Sequence, residues 1–296
     1  MTAVELGGGR ADLVYLLGYI SIFTVPFLVY LSLVVRGAVV LPPVDHGGAG
    51  RRLFGPLFIG FYYWFLGPLL RLASRTPVTP NAITAASLIV GAVTAVAIAT
   101  GHLAVASALL VTSGTLDIVD GHVARSKKLV TSAGAFLDST VDRVCDGLVF
   151  GGCVVYYVGT PIMYVALVAL VMTFTISYAR SRGETLGVTG TAGLMQRADR
   201  IVILSVAFAA APFFGHRAEG FRPHPFYMVT AVALWLLAVL NTVTAIARIS
   251  WIMRRLGGAE RGANPKRVHP AAGDPVATAS PRGRVGRLRP QLPPVA

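Results

Sequence analysis

With 296 residues, 54% of them hydrophobic and only 13% charged, the chain excludes an ordinary soluble domain, and a mean hydropathy of +0.67 points to a polytopic membrane protein. A net charge of +13 would suit a nucleic-acid binder, but in a membrane protein basic residues gather on the cytoplasmic side and against anionic lipid, so no nucleic-acid partner is expected. The two cysteines, Cys145 and Cys153, are eight residues apart in one apolar run; they cannot bridge each other on a helix, form no zinc pattern, and read as packing residues.

The first twelve residues are slightly acidic, and residues 13–35 then form an apolar run long enough to span a bilayer with some tilt. The run is too long for a signal peptide and lacks a basic leader, so it reads as an anchor. Residues 36–52 carry Arg36, Arg51 and Arg52 among prolines and glycines, a basic loop that completes an N-terminal unit over 1–52. Residues 53–73 are apolar as well, but Gly-Pro pairs at 55–56 and 67–68 are expected to break the helix, and the aromatic cluster from Phe61 to Phe65 suits a membrane interface. A crossing there would place the arginine-bearing loop outside, against the positive-inside rule, so 53–78 is read as an interfacial juxtamembrane helix.

Thr79, Pro80 and Asn81, with Thr84, supply polar caps and a proline for a helix start, and six apolar stretches follow at 83–100, 104–125, 134–158, 161–181, 200–215 and 225–250. Lys127, Lys128, Arg180, Arg182, Arg197, Arg200, Arg248, Arg254 and Arg255 fall on one side of these stretches. The other side has short links around Gly101 and Gly159 and the segment 215–225, with Arg217, Glu219 and Arg222. The first side is expected to face the cytoplasm, giving seven spans with the N-terminus outside and the C-terminus inside. The expected fold is therefore an all-α polytopic membrane protein: a six-helix transmembrane core over 79–256, an extra N-terminal transmembrane helix and an interfacial helix. Residues 257–296 hold seven prolines and six glycines with a net charge of +5, and read as a disordered basic tail held against anionic headgroups.

The chemistry is concentrated between Gly114 and Phe150. Asp117, Asp120, Asp138 and Asp142 lie in apolar surroundings, although the chain has only 13 acidic residues. An ionised Asp at the centre of a bilayer costs about 2.5–3.5 kcal/mol, so several together call for cations or a water-filled cavity. On a helix Asp117, Asp120, Gly121 and Ala124 share one face, kept low by the two small residues, and Arg125 closes it. Gly134, Asp138 and Asp142 recur every four positions on a second helix. Two adjacent helices joined by the basic link 126–133 would thus aim four carboxylates at one point. Four hard oxygen donors without His or Cys suit a pair of Mg2+ or Mn2+ ions. Arg125 and Arg143 are the alternative as structural ion-pair partners, but two cations cannot neutralise four buried carboxylates.

Asp117, Asp120, Gly121, Ala124, Arg125, Gly134, Asp138 and Asp142 together resemble the complete signature of the CDP-alcohol phosphatidyltransferases, D-x-x-D-G-x-x-A-R, eight residues, then G-x-x-x-D-x-x-x-D. The resemblance implies an enzyme that passes a phosphatidyl-type group from a CDP-lipid such as CDP-diacylglycerol to a polar alcohol, releasing CMP, with two Mg2+ or Mn2+ ions per active site. It further implies Asp117, Asp120 and Asp138 as metal ligands and Asp142 as both ligand and general base. Gly121, Arg125, Asn81 and Thr84, with Asp117 and Asp120, would border the CDP-lipid. Asp146 continues the stripe as a supporting residue, and His122 has no assigned role. The S-Y-x-R-x-R-x-E segment at 177–184 and the R-x-D-R segment at 197–200 are similar to those of phosphatidylinositol phosphate synthases. They imply Arg180, Arg182 and Arg200 as an acceptor pocket for inositol phosphate, which Arg248 of the last helix would complete as a further guanidinium suited to a phosphate, with glycerol phosphate as the alternative acceptor. A multi-pass protein of the cell membrane with its site facing the cytoplasm is expected, and a homodimer whose close packing Gly147, Gly151 and Gly152 would permit. The non-enzymatic alternatives are a divalent cation transporter, for which the chain lacks the expected internal repeat, and a catalytically silent scaffold.

Overall fold

The structure, a computed structural model, describes residues 18, 21, 25–38, 56–190, 193–214 and 228–262. Among them there are eight helical segments and no strand: α1 (Val25–Val35), α2 (Pro56–Arg75), α3 (Pro80–Ala99), α4 (Leu103–Ser126), α5 (Ser132–Tyr156), α6 (Pro161–Thr185), α7 (Arg197–Phe214) and α8 (Met228–Gly262). Part of the expected anchor, most of the loop 36–52, all of the segment 215–225 and most of the tail lie outside the described residues.

Local chemistry explains where the helices start and stop. Thr79 caps α3 by accepting from Ala82 N, and Pro80 stands at the first helical position, where its missing N–H costs nothing. The end of α4 is a Schellman-type turn: Lys128 sits at φ 57°, Leu129 N donates to Ala124 O at 2.8 Å, and Lys128 N donates to Arg125 O at 3.2 Å. Thr131 then caps α5 by accepting from Gly134 N at 3.0 Å. Gln196 N donates to Asp199 Oδ2 at 2.8 Å, which starts α7 at Arg197 rather than at residue 200 as expected from the apolar stretch. One further expectation is corrected. The Gly-Pro pairs do not break α2: Pro56 begins it, where a missing N–H costs nothing, and Pro68 is carried inside it between Leu66 and Leu70, which pack on Ile83, Val119 and Val123. The helix α8 itself runs on to Gly262, past Leu256.

Four helices are long and apolar enough to cross a membrane: Pro80–Ala99, Leu103–Ser126, Pro161–Thr185 and Met228–Gly258. α5 and α7 are not among them, because one carries Asp138, Asp142, Arg143 and Asp146 and the other Arg197, Asp199 and Arg200 within short lengths. The chain is a multi-pass membrane protein, and large apolar side chains such as Ile89, Val96 and Ile246 point outward, as lipid contact requires.

α3 packs against α4 and α5, α4 against α7 and α2, and α5 against α6. Small residues set these approaches. A Cβ on Gly152 would stand 2.7 Å from Ala95 O, and one on Gly91 would stand 2.8 Å from Cys145 Sγ, so α3 and α5 touch nearly backbone to backbone. Gly147 faces Phe174 of α6, which leaves only Gly151 of the three glycines pointing into open space. Gly147 and Gly152 therefore serve packing within the chain. Both cysteines are buried and unbridged. The large core joins Ile98, Leu110, Phe150, Phe208, Leu234 and Leu237, and a second cluster seats Leu66 and Leu70 of α2 on Ile83, Val119 and Val123. The aromatics of α2 pack on α1: Phe27 meets Phe61 edge-on at 5.1 Å and Tyr30 lies 5.6 Å from Trp64.

Candidate active site

The α4 and α5 stripes meet as their spacing requires. Carboxylate oxygens of Asp117, Asp120 and Asp138 all lie within 4.8 Å of one another, two from α4 and one from α5. Three hard oxygens at that separation fit a divalent cation of the Mg2+ or Mn2+ type, and among the described residues no His or Cys belongs to the group. Asp120 is buried, at 3% exposure, and Thr84 of α3 donates to its Oδ2 at 2.6 Å. Asn81 lies at the N-terminal end of α5, where its Oδ1 would be 3.4 Å from a Cβ on Gly134. Arg125 folds back over Gly121, its Nη1 only 3.3 Å from where a Cβ would stand. The smallness of Gly121 is what lets the guanidinium lie there.

Asp142 stands one turn further along α5 and is outside that group of three. It meets Asp117 directly and also shares Arg197 with it, whose Nη1 lies 2.6 Å from Asp142 Oδ1 and 2.8 Å from Asp117 Oδ2. Arg197 Nε is also 3.5 Å from Asp146 Oδ1, and Arg200 Nη2 donates to Asp146 Oδ2 at 2.7 Å. The cations at the cluster thus come from α7. Arg125 and Arg143, the partners weighed on the sequence, make no ion pair among the described residues; Arg143 instead donates to the Ser139 carbonyl of its own helix. Asp146 supports the arginines, in keeping with the secondary role expected for it. Arg197 was missed as a partner because positive-inside bias alone accounts for an arginine at such a helix start.

The four arginines of the expected acceptor pocket fall into two kinds. Arg200 and Arg248 are buried, at 4% and 7% exposure, and Arg248 Nη1 donates to Ile176 O at 3.1 Å. Arg180 is exposed and paired with Glu184 at 2.9 Å, and Arg182 is exposed on the same helix end. Arg248, in the interior of α8, lies within electrostatic range of Arg180, Arg200 and Glu184, so α6, α7 and α8 bring their charges to one region, which Arg200 joins to Asp146.

Comparison with known proteins accords with this geometry. Residues 77–254 match the family description CDP-alcohol phosphatidyltransferase. The chain is 33% identical over 192 residues to an archaetidylinositol phosphate synthase of Methanothermobacter thermautotrophicus, covering 65% of this chain and 90% of the relative. It is 30% identical over 233 residues to a phosphatidylinositol phosphate synthase of Streptomyces avermitilis, covering 76% and 91%. Among solved structures, the phosphatidylinositol phosphate synthase of Mycobacterium tuberculosis with CDP-DAG bound superposes with a TM-score of 0.55 at 26% identity, over 71% of this chain and 98% of that one. The same enzyme in complex with manganese and citrate gives 0.55 at 26%, over 71% and 92%. The match spans every helix that contributes a side chain to the carboxylate cluster, and the chain belongs to the CDP-alcohol phosphatidyltransferase family.

Proposed function

We propose that this chain transfers a phosphatidyl-type group from CDP-diacylglycerol or a related CDP-lipid to a hydroxyl of inositol phosphate, releasing CMP, as a step of phospholipid synthesis. The observation that carries this reading is the buried pair Arg200 and Arg248 beside the carboxylate cluster, with Arg200 bonded to Asp146 on the same helix as Asp138 and Asp142. Guanidinium groups from separate helices suit an acceptor that itself bears a phosphate. The names of the relatives from Streptomyces and Methanothermobacter point to the same acceptor class.

Asp117, Asp120 and Asp138, with Asp142, would hold Mg2+ or Mn2+, whose charge when bound offsets that of the CDP-lipid diphosphate. Thr84 fixes the Asp120 carboxylate by its hydrogen bond, and Arg125 over Gly121 borders the nucleotide. Asp142 takes the proton of the attacking hydroxyl. The acceptor oxygen then forms its bond to the phosphatidyl phosphorus as the bond to CMP breaks. Arg200 and Arg248 hold the acceptor's phosphate, and Arg180 and Arg182 lie at the mouth. All of α3–α8 cross the cell membrane, with the site open to the cytoplasm and two copies forming a dimer.

One assay tests the reading: CMP release from CDP-diacylglycerol with inositol phosphate, glycerol phosphate, inositol and serine offered separately, in Mg2+ and in Mn2+. Inositol phosphate should give the fastest release. Preference for glycerol phosphate would reassign the acceptor, and no release with any of them would sink the enzymatic reading. Mn2+ uptake into proteoliposomes in that case would favour a transporter.

A further inference from the structure

Among the described residues the ion pairs of Asp117 and Asp142 are those with Arg197, and both use the same nitrogen. These contacts are close without being aligned: Nη1 and Nε of Arg197 are buried and meet no acceptor in hydrogen-bond geometry. The guanidinium is therefore held by Coulomb attraction more than by directed bonds, and such a contact gives way more readily than a bidentate one. Asp146 offers a second seat. Its Oδ2 is fixed by Arg200, while its Oδ1 faces Arg197 Nε at 3.5 Å, near enough to attract and too far for a hydrogen bond. A cavity of about 20 Å³, lined in part by Ser113, Gly114, Cys145, Asp146, Arg197 and Arg200, leaves space beside that seat.

We propose that Arg197 is a built-in counter-ion that contends with the divalent cation for Asp117 and Asp142, and that Asp146, braced by Arg200, is the seat to which its guanidinium withdraws. The inference rests on the reading of the aspartate cluster as a metal site. Its physical reason is that carboxylates on adjacent membrane helices repel each other unless a cation stands between them, and Arg197 is the cation the fold supplies.

The test is a Mn2+ binding isotherm on the full-length protein in nanodiscs, read from the electron paramagnetic resonance signal of free Mn2+, for the wild type, Arg197→Gln, Asp146→Asn and the double variant. Arg197→Gln should tighten Mn2+ binding by about tenfold and Asp146→Asn should weaken it by about fivefold. In the Arg197→Gln background the Asp146→Asn effect should shrink to less than about twofold, because Asp146 acts through Arg197. A fivefold loss in both backgrounds would mean that Asp146 acts by its charge alone, and would overturn the proposal. Should Arg197→Gln fail to fold, an Asp146→Asn protein with unchanged or tighter Mn2+ affinity overturns it by itself. A wild type that binds no Mn2+ overturns the metal reading, whereas bound Mn2+ with additive effects removes only the counter-ion.

Discussion

Thr84 shows how a single hydroxyl bears on the site. It donates to Asp120 at 2.6 Å and is itself buried, so it helps to fix the direction of a buried carboxylate. Removing such a partner from a metal-binding carboxylate typically costs 10–100-fold in metal affinity or activity. Thr84→Val is expected to slow CMP release by about that factor and to raise the Mn2+ concentration needed, measured by Mn2+ titration of the initial rate; an unchanged titration curve would make Thr84 a helix residue only. Arg248 makes a different prediction, because the proposed function sets it on the acceptor side. Arg248→Met should raise KM for the phosphorylated acceptor by about tenfold while leaving KM for the CDP-lipid within about twofold. Equal changes in both constants would place Arg248 in general packing. Thr84 was legible as a residue near the helix start, but its bond to Asp120 spans 36 positions in the chain. No periodicity encodes that distance. Arg197 was illegible for a related reason, since its character as a counter-ion depends on α7 packing against α4.

At the scale of elements, α3 and α5 are pressed together by missing side chains. A Cβ at Gly152 would meet Ala95 O at 2.7 Å, a backbone atom that cannot step aside, whereas Gly151 has nothing within 4 Å. Gly152→Val is expected to cost roughly 1–3 kcal/mol of stability, and Gly151→Val much less, compared by thermal unfolding in detergent; similar melting points would show that the two helices are not in close contact. The connector between α4 and α5 carries a cost of its own, since Lys128 occupies the left-handed region at φ 57° without being glycine. Lys128→Gly should raise stability by up to about 1 kcal/mol, and a lowered melting point would refute that assignment of the turn. Lys127 next to it donates to Thr76 O at 2.5 Å and Val78 O at 2.9 Å, clasping the α2–α3 link to the end of the aspartate helix. The apolar stretches were readable from hydropathy because each is close to a bilayer in length. The start of α7 at Arg197 and the continuity of α2 through Pro68 were not, since caps and tolerated prolines depend on backbone geometry that composition does not report.

For the whole molecule, orientation is the property with the widest consequences, because it decides which compartment supplies the acceptor. Both native cysteines are buried, which leaves a low background for thiol labelling. With the site facing the cytoplasm, a cysteine at Lys128 should resist a membrane-impermeant maleimide in intact cells and one at Val158, on the opposite connector, should react. The reverse pattern would invert the topology.

The sequence by itself determined that this is a polytopic helical membrane protein with two acidic stripes, one on each of two consecutive helices, because hydropathy and a four-residue spacing are properties of a short window of chain. It also carried the signature of the family. Only the tertiary structure decided which cations stand against those carboxylates, that Asp142 and Asp117 share Arg197, and that Gly147 and Gly152 pack against neighbours within the chain. Those facts depend on which helix faces which, a relation between residues far apart in sequence that local patterns leave open.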